Sequence, residues 1–146
     1  MNPRTFLDVA NTLVTGLTEA EWRSAISRAY YAAFHVARQV LRQCGFAVPR
    51  ADQSHSYLWL RLAHAGHPDV ESAGNELNSL RRARNRADYD LDRPLAQVYA
   101  IDQVQLAETV IELLDLVSAT PAVLTQVTDA MKVYERDVLG EVTWRL

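Results

Sequence analysis

The segment EAEWRSAISRAYYAAFHVARQVLRQCG (residues 19–45) decides the fold class of this chain. It follows Thr18, which forms a T-x-x-E capping box with Glu21, a pattern that marks the start of a helix. Apolar residues then recur at alternating spacings of three and four, as on one face of a helix. These residues are Trp22, Ile26, Ala29, Ala33, Ala37, Val40 and Cys44. The alanines among them predict that a neighbouring helix packs closely here.

A second stripe on the same predicted helix is polar, aromatic and cationic. It consists of Ser24, Arg28, Tyr31, His35, Arg38 and Arg42. The helix is therefore expected to be buried on one side and to carry a basic, aromatic surface beside its buried face.

The helical period of three to four residues continues along almost the whole chain. It predicts helices at about 3–15, 19–44, 54–65, 68–90, 94–118 and 121–138, with Pro68, Pro94 and Pro121 in first turns. The fold class is therefore all-α, an antiparallel up-and-down bundle of five to six helices. We expect a single domain over residues 1–146, with its core at about 5–118 and an extra C-terminal helix and tail at 119–146.

Composition narrows the class of protein. The chain has 146 residues, of which 49% are hydrophobic and 23% charged, which is ordinary globular usage. No apolar run approaches the ~20 residues of a membrane span, and residues 1–16 lack a secretory pattern. One cysteine excludes an internal disulfide. We therefore expect a cytoplasmic protein without membrane association.

In the predicted fourth helix, Arg84 occupies a position at which the apolar stripe predicts a residue such as leucine. The stripe runs through Val70, Ala73, Leu77 and Leu80 and then reaches Arg84 and Ala87. A partly buried guanidinium needs a partner. A structural ion pair of Arg84 with Asp88, one turn later, is one interpretation. A phosphate site formed by Arg84 with Asn85 is the other, and it suits the net charge of −3 with a local basic run at 81–86.

The sequence gives weaker evidence for nucleotide-binding, metal-binding and histidine-based sites. No P-loop, dinucleotide fingerprint or H-E-x-x-H motif occurs. His55, His64 and His67 lack a cysteine or carboxylate at ligand spacing, so we expect no metal and no cofactor. His35 lies on the polar stripe of the second helix, either as a hydrogen-bonded histidine at the edge of the core or facing Arg84.

Two segments together resemble the HEPN superfamily of small helical proteins. They are residues 19–45 and LNSLRRARNRADYD (77–90), with the patterns S-R-A-Y-Y-A-x-F-H and R-x-x-A-D-Y. The resemblance covers about residues 5–118. It implies that the second and fourth helices pair, and that two subunits form a homodimer with their motifs facing one cleft.

The resemblance also implies a site. Many members are metal-independent ribonucleases whose motif is an arginine, a polar residue and, a few positions later, a histidine. Arg84 and Asn85 match the first two positions, but Tyr89 stands at the histidine. A phenol with a pKa near ~10 is a poor general base at neutral pH, so we expect impaired catalysis.

Three functions therefore remain open. The first is a dimeric module of a toxin–antitoxin or defence system that binds RNA or a nucleotidyltransferase-type antitoxin partner. The alternative is an endoribonuclease toxin with the catalytic set Arg84, Asn85, Tyr89 and His35. In both, RNA phosphates would contact Arg81, Arg28 and Tyr31. The third is a purely structural helical adaptor, in which Arg84 and Asp88 only hold the bundle.

Overall fold

A computed structural model describes residues 1–50 and 52–144 of the chain. Six α-helices account for most of them: α1 (Arg4–Leu13), α2 (Glu19–Gln43), α3 (Gln53–Leu62), α4 (Pro68–Tyr89), α5 (Gln97–Ala119) and α6 (Pro121–Tyr134). The predicted all-α bundle is confirmed. The last two residues of the predicted C-terminal tail lie outside the described residues.

Helix α2 is the centre of the bundle, with α1, α4 and α5 packed around it. Thr18 caps it as predicted, since its Oγ1 accepts a hydrogen bond from the Glu21 amide at 3.3 Å. The middle of the predicted apolar stripe is fully buried, while Trp22 and Cys44 at its ends are half-buried. The small residues of α2 let the neighbouring helices approach closely, as expected.

Helix α4 approaches the end of α3 at a glycine. A Cβ atom at position 74 would lie 2.4 Å from the backbone nitrogen of Ala63, so only glycine fits there. This close approach sets the position of the first half of α4. The second half carries the arginine-rich segment.

The predicted start of the fifth helix at Pro94 is wrong, because α5 begins at Gln97. Leu95 is buried, and its amide donates a hydrogen bond to Glu19 Oε1 at 2.8 Å. Ala96 has extended backbone angles. Glu19 at the start of α2 therefore holds the segment after Pro94 in an extended conformation.

The C-terminal segment is attached by a buried ion pair. Helix α6 continues into a π-helical segment, Glu135–Leu139, in which Glu135 is fully buried. Arg61 Nε of α3 donates to Glu135 Oε2 at 2.7 Å. Burial alone would raise the pKa of Glu135, but hydrogen bonds from Thr143 and the pairing with Arg61 outweigh it and lower that pKa.

No single helix among the described residues is long and apolar enough to cross a membrane. Helix α5 and the segment Pro121–Leu139, which is α6 with its π-helical continuation, reach that length and composition only when taken together, and a bend of 102° separates the two.

A buried arginine ties the end of α4 to the start of α2. Arg23 is 7% exposed, and its guanidinium donates to backbone carbonyls at and after the end of α4. The acceptors are Arg86 O at 3.1 Å, Ala87 O at 3.0 Å, Asp90 O at 3.1 Å and Arg93 O at 2.6 Å. The last carbonyls of a helix lack partners within the helix, and Arg23 supplies a donor to one of them, Ala87 O. It also adds a second donor to Arg86 O, which already accepts from the Asp90 amide.

Replacing Arg23 with alanine tests this attachment. We expect the variant to lose about 2–3 kcal/mol of unfolding free energy, because several charge-assisted hydrogen bonds disappear together. Urea unfolding measures the loss, and amide hydrogen exchange locates it in the last turn of α4. The control is Arg136→Ala, which removes an exposed arginine paired with Asp137. Equal stability of the two variants would contradict the assignment.

Candidate functional site

The candidate site is centred on Arg84, where α4 crosses α2. The side chain is 16% exposed, and its Nε atom lies 3.0 Å from Asp88 Oδ2. Nη1 donates to Asn85 Oδ1 at 3.0 Å, and Nη2 donates to the Tyr31 hydroxyl at 2.6 Å. The predicted ion pair with Asp88 and the predicted neighbours Asn85 and Tyr31 therefore surround one guanidinium.

The two helices that carry the site are joined by a second hydrogen bond. Ser27 Oγ of α2 donates to Asp88 Oδ2 at 3.3 Å, which is the oxygen that also faces Arg84. Asp88 therefore connects α2 to α4 and partly neutralises Arg84. The helical spacing of four residues between Arg84 and Asp88 makes this geometry possible.

Aromatic rings flank the guanidinium. Its Cζ atom lies 5.2 Å from the centre of the Tyr31 ring and 5.6 Å from that of Tyr89. Tyr89, at the position of the motif histidine, is 72% exposed. The ring of Tyr89 is therefore open to a ligand, while Tyr31 is held in the seam between the helices.

The other predicted phosphate contacts lie on two sides of Arg84. Arg28 sits over the Tyr31 ring, with 5.4 Å from its Cζ atom to the ring centre. Arg81 donates to Asn78 Oδ1 from Nε and Nη2, at 3.1 and 2.9 Å. Arg28, Arg81 and Arg84 thus form a partly exposed basic surface across α2 and α4.

His35 is placed farther along α2, toward α1. Its ring stacks on Phe6 with 5.9 Å between ring centres, and lies 6.4 Å from that of Tyr31. Burial and the nearby charge of Arg38 lower its pKa. The structure brings together Arg84, Asn85, Asp88, Tyr31 and Tyr89, and it places His35 against Phe6 rather than against Arg84.

The sequence interpretation missed a histidine at this site. His55 of α3 forms a hydrogen bond between its Nδ1 atom and the Tyr30 hydroxyl, with 2.5 Å between the two atoms. Its ring centre is 6.5 Å from that of Tyr31. Burial lowers the pKa of His55, and the charge of Arg84 lowers it further. Burial also raises the pKa of Tyr30, so this phenol stays protonated at neutral pH.

One signal for the placement of His55 was present. His55, Leu58 and Leu62 follow spacings of three and four, so the apolar face of α3 includes the histidine. That pattern predicts a ring turned toward the bundle. It does not indicate which helix the ring meets, because that depends on how α3 packs against α2.

The remaining histidines lie elsewhere. The His64 ring stacks on Tyr134, with 4.0 Å between ring centres, and His67 Nδ1 accepts from the Asp69 amide at the start of α4. Over residues 1–50 and 52–144, no group of three or more histidine, cysteine or carboxylate side chains has a geometry that could hold a metal ion.

The depressed pKa of His55 predicts a pH dependence of stability. The unfolded chain takes up a proton near the ordinary pKa of ~6.5, whereas the folded chain does so at lower pH. The unfolding free energy should therefore fall as the pH drops below ~6.5, and level off below the folded pKa. His55→Gln should reduce this slope, measured by urea unfolding between pH 7.5 and 5 (roughly the histidine range).

His35→Gln should reduce the slope in the same direction, because the pKa of His35 is lowered as well. If the variant with both His35→Gln and His55→Gln kept the same slope of unfolding free energy against pH, the acid sensitivity would not come from these two rings.

Comparison with known proteins agrees with the two segments that form the site. The family model described as HEPN domain matches residues 5–117, which include all of α2 and α4 and end within α5. No curated protein and no solved structure matches the chain significantly. Since the family model covers well over half of the chain, this protein belongs to the HEPN family.

Proposed function

We propose that this HEPN domain is a homodimeric RNA-binding module of a toxin–antitoxin or defence system, with impaired catalysis. Membership of the family itself supports only an RNA-related module. The observation that carries the finer proposal is the partly exposed guanidinium of Arg84 between the rings of Tyr31 and Tyr89.

The donors of Arg84 leave room for a phosphate. A guanidinium has five N–H groups, and two of them donate here, one from Nη1 to Asn85 and one from Nη2 to Tyr31. Nε pairs with Asp88 by charge without making a hydrogen bond, so one N–H on each outer nitrogen is left for phosphate oxygens. The structural ion pair and the phosphate site are therefore compatible, because the side chain contacts Asp88 through Nε and retains N–H groups on its outer nitrogens.

The expected loss of catalysis depends on Tyr89, which lies beside the Arg84 guanidinium. A general base for cleavage through the 2′-hydroxyl must accept a proton near neutral pH, which a phenol rarely does. The exposed ring of Tyr89 is suited instead to stacking on an unpaired base. Binding without rapid cleavage is the expected outcome.

A homodimer is proposed from the family arrangement, in which the motif-bearing helices face each other. The end of α4 supports it, since Tyr89 and the following Leu91 are 72% and 68% exposed. Large apolar side chains exposed together are typical of an interaction surface. A partner with a nucleotidyltransferase fold remains part of the proposal for the biological system.

A ribonuclease is the second candidate, and His55 favours it. Burial and Arg84 keep the imidazole neutral. When Nδ1–H donates this hydrogen bond to the Tyr30 hydroxyl oxygen, the Nε2 lone pair is free to take a proton. His55 would then replace the missing motif histidine near Arg84, as the proton acceptor for an RNA hydroxyl.

The first test is binding of transfer RNA in EDTA, measured by fluorescence anisotropy. Arg84→Ala should weaken binding about 10- to 100-fold, because a charge-assisted bidentate contact is lost. Arg84→Lys should recover part of the loss, since it keeps the charge without the planar fork. The exposed Arg136→Ala is the matched control and should bind like the original protein.

Gel analysis of the same mixtures separates the candidates. Intact RNA with binding that depends on Arg84 supports the module. Cleavage that is lost in both Arg84→Ala and His55→Gln supports the ribonuclease. Cleavage gained in Tyr89→His would show that the phosphate-binding half is competent. A protein that neither binds nor cleaves RNA would leave the structural adaptor as the explanation.

The dimer is tested by sedimentation at micromolar concentration. Leu91→Glu should weaken self-association, because it places a charge on the proposed apolar contact. Val138→Glu is the matched control, since Val138 is 67% exposed on the C-terminal segment. A monomer at these concentrations, or an equal effect of both substitutions, would contradict the proposed interface.

A further inference from the structure

The arginines in the second half of α2 and just after it lack acidic partners. Arg38, Arg42 and Arg50 form no ion pair with any acidic residue in the described part of the chain, although acidic residues outnumber basic ones overall. Burial lowers the pKa of Arg38, and the charges of Arg42 and Arg50 lower it further. Arg38 is partly buried, and its Nε atom is buried without a hydrogen-bond partner, whereas Arg42 and Arg50 are exposed. A partly buried cation without a counter-charge favours the binding of an anion.

A cavity opens beside these cations, between α1 and α2. Its volume is about 430 Å³, which lies in the range of small-molecule sites. Arg38 and Arg42 line it together with Gln39, Phe6 and His35. The cavity thus combines two guanidinium groups, an amide and two rings.

Two nearly parallel aromatic rings contribute to the lining of this cavity. Phe6 and His35 stack with an angle of 17° between their planes and 5.9 Å between their centres. The lowered pKa of His35 keeps its ring uncharged at neutral pH. An uncharged aromatic surface beside guanidinium groups is the combination that binds an unpaired base and its phosphate.

We infer that this cavity is a nucleotide subsite, where Arg38 and Arg42 bind a phosphate of single-stranded RNA while Phe6 and His35 contact the adjoining base. The inference rests on the proposed function, because it takes RNA as the ligand. It adds a second contact point, on residues that the Arg84 site does not use.

The subsite is continuous with the Arg84 site. Arg28 lies 5.6 Å from the centre of the Phe6 ring and 5.4 Å from that of Tyr31, whose hydroxyl accepts a hydrogen bond from Arg84. Tyr31 and Arg38 are seven residues apart on α2, or about 10 Å at 1.5 Å per residue. A stacked strand advances ~3.4 Å per nucleotide, so about three nucleotides connect the two sites.

The first experiment uses the full chain, labelled with ¹⁵N, and adenosine 5′-monophosphate as the probe. We expect amide shifts in α1 and in the second half of α2. Inorganic phosphate should bind the same arginines about five-fold or more weakly, because the base contact is absent. Equal affinity for the two probes would overturn the nucleotide assignment, since the rings would then contribute nothing.

Two substitutions test the arginines and guard against a folding defect. Arg38→Gln removes one guanidinium, and Gln39→Glu leaves both in place but adds a carboxylate at the exposed edge of the cavity. Both should weaken nucleotide binding about ten-fold. Arg136→Gln removes one charge outside the cavity and should have no effect. Equal effects of the three variants would overturn the proposal.

A single-stranded RNA of ten nucleotides extends the test. Arg38→Gln should lower the salt dependence of its binding by about 0.7 in log K against log salt, the value for one phosphate on a single strand. Phe6→Leu should weaken binding about five-fold or more, from loss of stacking. Unchanged salt dependence and affinity in these variants would overturn the subsite.

Arg84→Ala separates this inference from the proposed function. It should weaken binding of the RNA but leave binding of the mononucleotide unchanged. If RNA binding is insensitive to Arg84, the proposed function fails, while mononucleotide binding that depends on Arg38 would still support the subsite. If the mononucleotide does not bind and RNA binding depends only on Arg84, the subsite fails and the proposed function stands.

Discussion

The contact between α2 and the end of α4 is the constraint on which the site depends. Arg23, one turn into α2, donates to carbonyl groups at the end of α4 and just after it, where a helix lacks its own donors. This attachment sets how the last two turns of α4 lie along α2. Ser27 and Tyr31 then meet Asp88 and Arg84, because they follow Arg23 on the same face of α2 at helical spacing. The buried Arg23, at one end of the contact between α2 and α4, thereby positions the partly exposed Arg84 one to two turns away.

Arg84 illustrates how one side chain contributes to both structure and recognition. A guanidinium that is 16% exposed would be costly without a counter-charge, and Asp88 supplies one at 3.0 Å. The same pairing leaves N–H groups on the outer nitrogens, and the rings of Tyr31 and Tyr89 lie 5.2 and 5.6 Å from the Cζ atom. Under the proposed function, this position, which a leucine would fill in an inert bundle, is where the phosphate binds.

Much of the fold could be predicted from local pattern. The N-cap at Thr18 and the stripe through Ile26, Ala29 and Ala33 are properties of one helix, and they were confirmed. The second half of the predicted capping box was not, because the Glu21 carboxylate accepts from the Thr18 hydroxyl instead of the Thr18 amide. The exception at Pro94 has a non-local cause, since Glu19 accepts a hydrogen bond from Leu95 and keeps that segment extended. Local pattern also could not predict which histidine lies near Arg84, because the neighbours of each histidine belong to other helices.

The sequence alone determined the class of the protein: six amphipathic helices, an arginine in an apolar stripe, and two segments with a family pattern. Tertiary structure alone decided the composition of the site. It placed His55 beside Tyr30 and turned His35 toward Phe6, where it lines a cavity with Arg38. The physical reason is that helical period specifies which side of a helix is buried. The angle and offset at which two helices pack specify which side chains meet, and these depend on contacts far apart in the chain.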